Sequence, residues 1–129
     1  MPGIVNQQDI ITTAAIAAIV AQEITAVTGT LSYDETNAAE QTVFTNAPGA
    51  VRRVGSIWLD LVNVTQNTTI RVYHQIDAVN YRQFAAYAWV VADADGVLID
   101  GFTSYRSFRV TAQCGGGGAG AVDIPWAVV

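Results

Sequence analysis

The chain has 129 residues, a length that suits one domain with one hydrophobic core. Hydrophobic residues make up 51% of the sequence, which argues against disorder, whereas charged residues make up only 13%, about half of the usual share. The net charge is −5, residues 1–51 contain no Lys or Arg, and no basic patch follows, so nucleic-acid binding is not expected.

The first predicted element is an apolar α-helix that begins near Asn6 or Asp9 and reaches about Val27. The uncharged run from Ile10 to Ala21 is shorter than the ~20 residues that span a bilayer. No Lys or Arg precedes this run, as a secretory signal would require. We therefore interpret it as part of the mature protein and predict no membrane association.

The predicted helix is apolar on more than one side, which favours more than one packing partner. Self-association of this helix between subunits, as a short bundle near a symmetry axis, is one interpretation. The other is that the helix covers one end of its own sandwich. The candidate self-association residues are Ile10, Ala14, Ala17, Val20, Ile24 and Val27. Gly29 is expected to end the helix, which divides the chain into a helical segment, 1–28, and a β-domain, 29–129.

The β-domain is predicted to be an antiparallel sandwich or jelly roll of seven or eight strands. Apolar and polar residues alternate with period two through most of it, and Gly, Asn, Asp and Pro mark the turns. Pro125 within the last apolar strand indicates an edge position. The expected strands lie near 29–35, 41–45, 57–62, 70–77, 81–91, 97–100, 104–114 and 122–128, with a glycine loop at 115–118.

Few residues could carry chemistry, and we predict that the protein is not an enzyme and holds no cofactor or metal. The single histidine, His74, lies on the apolar side of its strand, which is typical of a core side chain. The single cysteine, Cys114, is expected to be a small buried hydrophobe, although the two residues could in principle form a nucleophile and base. Asp93, Asp95 and Asp100 resemble a fragment of a calcium loop, but turn hydrogen bonds explain them equally well.

Aromatic residues recur on the predicted strands and leave a second binding hypothesis open. A flat row of them would suit a saccharide, as in carbohydrate-binding modules, whereas packing in the core or at an interface needs fewer assumptions. The residues concerned are Trp58, Tyr73, Tyr87, Trp89 and Tyr105.

The segments Arg53 to Asp77 and Asp100 to Val129 carry a pattern that covers most of the β-domain. In and next to these segments it reads SIWLDLVNVTQNTTIRVYHQIDAVNYRQF, residues 56–84, and IDGFTSYRSFRVTAQCGGGGAGAVDIPWAVV, residues 99–129. This pattern resembles small structural proteins of tailed phages, of the capsid decoration or cement type. The resemblance implies a short N-terminal helix before a jelly-roll-like sandwich, an oligomer on the capsid lattice, and no catalytic residues.

The sequence thus leads to the expectation of a virion structural protein that stabilises the phage head and is assembled in the host cytoplasm. Its expected partners are further copies of itself, the major capsid protein or other virion proteins. A tail, neck or fibre component and a carbohydrate-binding β-sandwich module remain the alternatives.

Overall fold

The computed structural model of the protein describes residues 26–46, 52–53, 55–104 and 106–129. These residues form ten β-strands. The strands are β1 (Val27–Asp34), β2 (Gln41–Asn46), β3 (Arg52–Arg53), β4 (Ser56–Asp60), β5 (Thr68–Gln75), β6 (Tyr81–Trp89), β7 (Gly96–Asp100), β8 (Thr103–Ser104), β9 (Phe108–Gln113) and β10 (Ala121–Val128).

The strands pair in a nested order, as in one long hairpin that has been rolled up. From the innermost pair outwards, β5 pairs with β6, β4 with β7, β3 with β8, β2 with β9, and β1 with β10, all antiparallel. Two further pairings, β10 with β4 and β5 with β9, join these hairpins side by side. The result is a first sheet of order β1-β10-β4-β7 and a second of order β2-β9-β5-β6. This is the strand order of a two-sheet jelly roll, so the predicted sandwich is confirmed.

Along each sheet strand, side chains point alternately to the outside and to the space between the two sheets. In β5, Thr68, Ile70 and Val72 are buried while the residues between them are partly exposed. In β4, Ile57 and Leu59 are buried while Trp58 and Asp60 are exposed. The core therefore lies between the two sheets, as the period-two pattern predicts. Its largest fully buried apolar side chains are Tyr33, Phe108, Ile57, Leu61, Ile70 and Ile124.

A stack of aromatic rings joins the two sheets near the start of β1. The ring of Trp126 in β10 lies 4.3 Å from that of Phe44 in β2, with an interplanar angle of 21°. Phe44 in turn contacts Phe108 edge to face, at 5.7 Å between centroids. Gly29 leaves the space that the Trp126 ring fills, because a Cβ at this position would overlap the indole.

Replacement of Gly29 by valine is therefore expected to destabilise the fold by about 1–3 kcal/mol, since Trp126 must leave its stacked position. Chemical denaturation measures the change in the free energy of unfolding. Gly115→Val is the matched control, because no atom lies within 4 Å of a Cβ at Gly115. Equal stability of the two variants would show that the indole is not fixed in this stack.

The boundary between the predicted helix and the β-domain is wrong by two residues. Val27 and Thr28 belong to β1, where Val27 pairs with Val128, and Gly29 lies within the strand. Valine and threonine suit an extended strand at least as well as a helix end, so pairing with β10 decides their conformation. The remainder of the predicted helix, including Ile10, Ala14, Ala17, Val20 and Ile24, lies outside the described residues.

The predicted edge position of Pro125 is also wrong, because β10 lies between β1 and β4. Pro125 faces Thr30 of β1, and the ladder between β10 and β4 begins only at Trp126. A proline lacks the N–H that a central strand needs, and the end of one ladder at this residue accommodates that loss. The apolar C-terminal strand is thus covered on both sides by strands of its own chain.

The glycine loop after β9 is held by a buried acidic residue. Glu35 is only 1% exposed, and its backbone N–H donates to Gly120 O at 3.0 Å while its carbonyl accepts from Gly118 N at 3.0 Å. Its carboxylate accepts from the backbone N–H and the hydroxyl of Thr65, at 3.0 and 2.9 Å. These bonds satisfy the polar atoms of the buried side chain and join the loop to the turn before β5.

Candidate functional site

The outer surface of the first sheet carries exposed apolar side chains on β4 and on its neighbour β7, an edge strand. One row across this sheet runs through Thr28, Ala127, Trp58 and Leu98 on four neighbouring strands. Trp58 is 50% exposed, Leu98 is 49% exposed, and Val62, which follows β4, is 57% exposed. We call the surface formed by Trp58, Val62, Leu98 and Ala127 the apolar face.

Acidic and hydroxyl side chains surround the apolar face. Asp60 lies on the same side of β4 as Trp58, and its carboxylate accepts from the N–H of Val62 at 3.0 Å. At the other end of β4, Ser56 donates to Asp100 of β7 at 3.1 Å. The described residues on this side of the four strands include no Lys or Arg. An apolar centre within a polar rim is the usual composition of a protein–protein interface.

Trp58 stands between two shallow grooves, each with a volume of about 380 Å³. One groove is lined by Thr28, Thr30, Pro125 and Trp126, and the other by Val62, Asp95 and Gly96. A half-exposed indole between two grooves presents both a projecting ring and recesses for side chains of a partner. Aromatic residues of this kind contribute most to binding at interfaces.

Trp58 was the one member of the apolar face that the sequence had marked as a candidate binding residue. The sequence of β4, SIWLD, indicates a surface tryptophan, because Ile57 and Leu59 occupy the buried side of the strand and leave Trp58 on the other side. Leu98 and Val62 were missed as surface residues, because short apolar segments are ordinarily interpreted as core. Val27, the described member of the predicted self-association set, lies at the start of β1 and is 45% exposed.

The aromatic residues of the saccharide hypothesis do not form one row. Trp58 lies on the outer side of the first sheet, whereas Tyr73 lies on the outer side of the second. Trp89 is 6% exposed, and its indole N–H donates to Ala94 O at 2.8 Å. Tyr87 is on β6 opposite the buried Ile70, and Tyr105 lies outside the described residues.

His74 and Cys114 do not come together as a nucleophile and base. His74 pairs with Phe108 at the start of β9, whereas Cys114 follows the last residue of that strand, about 20 Å away. The His74 ring lies among phenylalanines, 4.9 Å from Phe84 and 4.8 Å from Phe102. Cys114 is buried, with its thiol 3.7 Å from Glu35 O. Cys114 packs in the core, as the sequence predicts, whereas His74 is only partly buried and lies outside the core.

Burial lowers the pKa of His74 below its usual value of 6.5. The unfolded chain then binds a proton at higher pH than the folded one, so stability is retained above about pH 6.5 and falls as the pH drops toward the folded-state pKa. Thermal denaturation from pH 7.5 to 5.5 should show this fall in melting temperature. His74 is the only histidine, so His74→Phe should remove most of the slope. An equal dependence of melting temperature on pH in the wild type and in His74→Phe would contradict a lowered pKa of His74.

Two of the three aspartates of the calcium hypothesis accept hydrogen bonds from backbone N–H groups of their own turns. Asp93 accepts from Val90 N at 3.1 Å, and Asp100 accepts from Gly101 N at 2.9 Å and from Ser56. Across the described ranges, no group of three or more His, Cys, Asp or Glu residues could hold a metal ion. Likewise, no helix among those residues is long and apolar enough to cross a membrane.

The outer side of the second sheet is polar and differs in character from the apolar face. Glu40 Oε1 accepts from the Tyr73 hydroxyl at 2.6 Å, from the Thr111 hydroxyl at 2.7 Å and from Arg71 Nη1 at 3.3 Å. Burial alone would raise the pKa of Glu40, but these hydrogen bonds and the charge of Arg71 outweigh it and lower the pKa. Glu40 therefore stays ionised and fixes three side chains of this sheet.

Comparison with known proteins adds little to this description. No known protein-family model matches the sequence, and no curated protein matches it. Among solved structures, the chain is similar to the Yersinia pseudotuberculosis-derived mitogen, at 12% identity and a TM-score of 0.49. The similarity covers 81% of this chain and 83% of the mitogen chain. The fold itself, a mainly antiparallel β-sandwich, is the class that the described strands define.

Proposed function

We propose that the protein is an assembly component that docks on a partner protein through the apolar face. The observation that carries the proposal is the half-exposed pair Trp58 and Leu98, side by side on β4 and the edge strand β7, with polar side chains around them. Each side chain is already half buried, so a partner that covered the exposed half would recover roughly 1 kcal/mol per residue, about half of the value for full burial. A scattered exposed leucine is ordinary, but a tryptophan and a leucine in register form a patch.

The charge of the rim favours a partner of a different kind over a second copy of the same face. Asp60, Asp100 and Asp123 lie on the outer side of the first sheet, and a symmetric contact would bring these like charges together. The chemistry that fits is a protein surface with an apolar centre and a positive rim. A docking partner such as a lattice subunit suits this better than an isologous dimer.

The specific role we infer is that of a decoration or cement protein on the head of a tailed phage, with the major capsid protein as partner. The resemblance of residues 53–77 and 100–129 to such proteins supports this role. The jelly-roll strand order supports it more weakly, because this architecture recurs in viral capsid and lectin domains alike. The low charge content suits a surface that is largely covered in a particle.

Self-association through residues 7–27, with a trimer favoured, is a further part of the proposal. It rests on the apolar sequence of this segment, whose members Ile10 to Ile24 lie outside the described residues. Light scattering at micromolar concentration measures the oligomeric state. A strictly monomeric chain would overturn self-association through this segment. Docking through the apolar face would then be tested separately.

The location of the protein tests the proposed function. Tailed particles are purified on a density gradient from the culture whose genome encodes the chain, and antibody against the recombinant protein is applied with gold label. Label over the heads is the expected result. Label over the tail, neck or fibres would favour the alternative virion roles, and absence of the chain from the particles would overturn a virion function.

A further inference from the structure

A second surface of the protein, on the outer side of the second sheet, carries an arginine that has no acidic partner among the described residues. Arg109 lies in β9, between Thr45 of β2 and Tyr73 of β5 in the pairing register. Its guanidinium carbon lies 5.0 Å from the ring centroid of Tyr73 and 4.7 Å from that of Tyr81. The cation is thus held against two aromatic rings.

Both rings that hold Arg109 are themselves fixed at their hydroxyl ends. The Tyr73 hydroxyl donates to Glu40 at 2.6 Å, and the Tyr81 hydroxyl is 2.6 Å from the hydroxyl oxygen of Ser107. The guanidinium is therefore preorganised, so that a ligand would immobilise little further side-chain freedom.

The charge of Arg109 is not compensated within the described residues. Glu40, the nearby acid, is shared by Arg71, Tyr73 and Thr111, and the ion pair it forms is with Arg71. Among the residues that the structure describes, Nε of Arg109 is a buried nitrogen without a hydrogen-bond partner. The positive charge of Arg109 thus has no carboxylate partner among the described residues of a chain whose net charge is −5.

The neighbours of Arg109 on this surface are mainly hydroxyl and amide side chains. Thr45 and Gln83 are exposed in the same cross-strand row, and Gln75 lies in the next row. Such groups both donate and accept hydrogen bonds, as sugar hydroxyls do. A protein partner would instead be expected to meet an apolar centre, which here lies on the opposite sheet.

We propose that Arg109 binds the carboxylate of an acidic saccharide, with its sugar hydroxyls on Thr45 and Gln83. The planar guanidinium fork matches a carboxylate, and arginine forms such pairs with two parallel hydrogen bonds. The site is separate from the apolar face, so it does not depend on the proposed docking function.

A titration followed by amide NMR signals of the full chain tests this site, with glucuronate and galacturonate as probes. At low salt, at least one uronate should shift the signals of Thr45, Tyr73 and Gln83 with a Kd on the order of 1 mM. Methyl glucoside, which lacks the carboxylate, should bind at least about tenfold more weakly. Shifts that are absent, or that lie on the first sheet, would overturn the proposal.

Variants and a second anion separate the site from general electrostatics. Arg109→Gln should weaken uronate binding about tenfold or more, whereas Arg82→Gln, with the same change of charge, should leave it unchanged. Equal binding by both variants would overturn the role of Arg109. Equal or tighter binding of N-acetylglutamate would overturn the saccharide class and indicate a protein carboxylate. If Arg109→Gln does not fold, Arg109→Lys serves instead, with a several-fold loss expected because the fork is removed.

Discussion

Replacing Trp58 and Leu98 together by alanine is expected to weaken binding to the partner lattice by at least about 30-fold. The estimate follows from the ~2 kcal/mol that truncation of a single central aromatic residue costs at interfaces. The two side chains are half exposed and lie in register on β4 and β7, so both would be buried on docking. Particles from a strain that lacks the gene, titrated with purified wild-type or variant protein, measure the loss.

The control for this experiment is Phe84→Ala, which removes an exposed aromatic side chain from the second sheet. Phe84 is 62% exposed on β6, so its loss should leave lattice binding within about twofold. The free energy of unfolding of the Trp58/Leu98 variant should change by about 1 kcal/mol or less, because neither side chain lies in the core. Wild-type binding by a folded Trp58/Leu98 variant would show that docking uses another surface.

Phe108→Ala should lower the free energy of unfolding by about 3–5 kcal/mol. Phe108 is completely buried at the start of β9, in contact with Phe44 at 5.7 Å and Phe102 at 4.8 Å. Its ring joins the aromatic stack of one side of the core to the ring of His74 on the other. Truncation leaves a cavity that rigid neighbouring strands cannot fill.

Urea denaturation of the Phe108→Ala variant measures this effect. Phe84→Ala is again the matched control, because the same atoms are removed from an exposed position, and a change of about 1 kcal/mol or less is expected. A loss below about 1 kcal/mol in Phe108→Ala would mean that the two sheets do not pack around this ring.

Strands such as β4, β5 and β9 could be predicted because each of them buries one side. In β5, the alternation from Ile70 to Val72 to His74 is unambiguous, and the Asp77–Asn80 turn that follows closes a hairpin with β6. Pro125 was misplaced because the argument from its missing N–H considers one strand at a time. The position of β10 between β1 and β4 depends on which strands pair, and single-strand patterns contain no such information.

The sequence could mark single residues of the candidate sites, but it could not show which of them lie next to each other on the surface. Trp58 was marked as an aromatic candidate, but its neighbour Leu98 lies on another strand, far along the chain, and only the register brings them together. The same holds for Arg109, whose contacts with Tyr73 and Tyr81 follow from pairing of β5, β6 and β9. Surface clusters of this kind are products of the tertiary fold, whereas core periodicity is local.

An image reconstruction of decorated particles by electron cryomicroscopy tests the central claim most directly. The claim predicts that Trp58 and Leu98 lie within about 4 Å of a lattice subunit, in van der Waals contact, with positive side chains opposite Asp60 and Asp100. It also predicts that the outer side of the second sheet, with Arg109, faces solvent. A reconstruction in which the apolar face points to solvent and the second sheet contacts the lattice would contradict it.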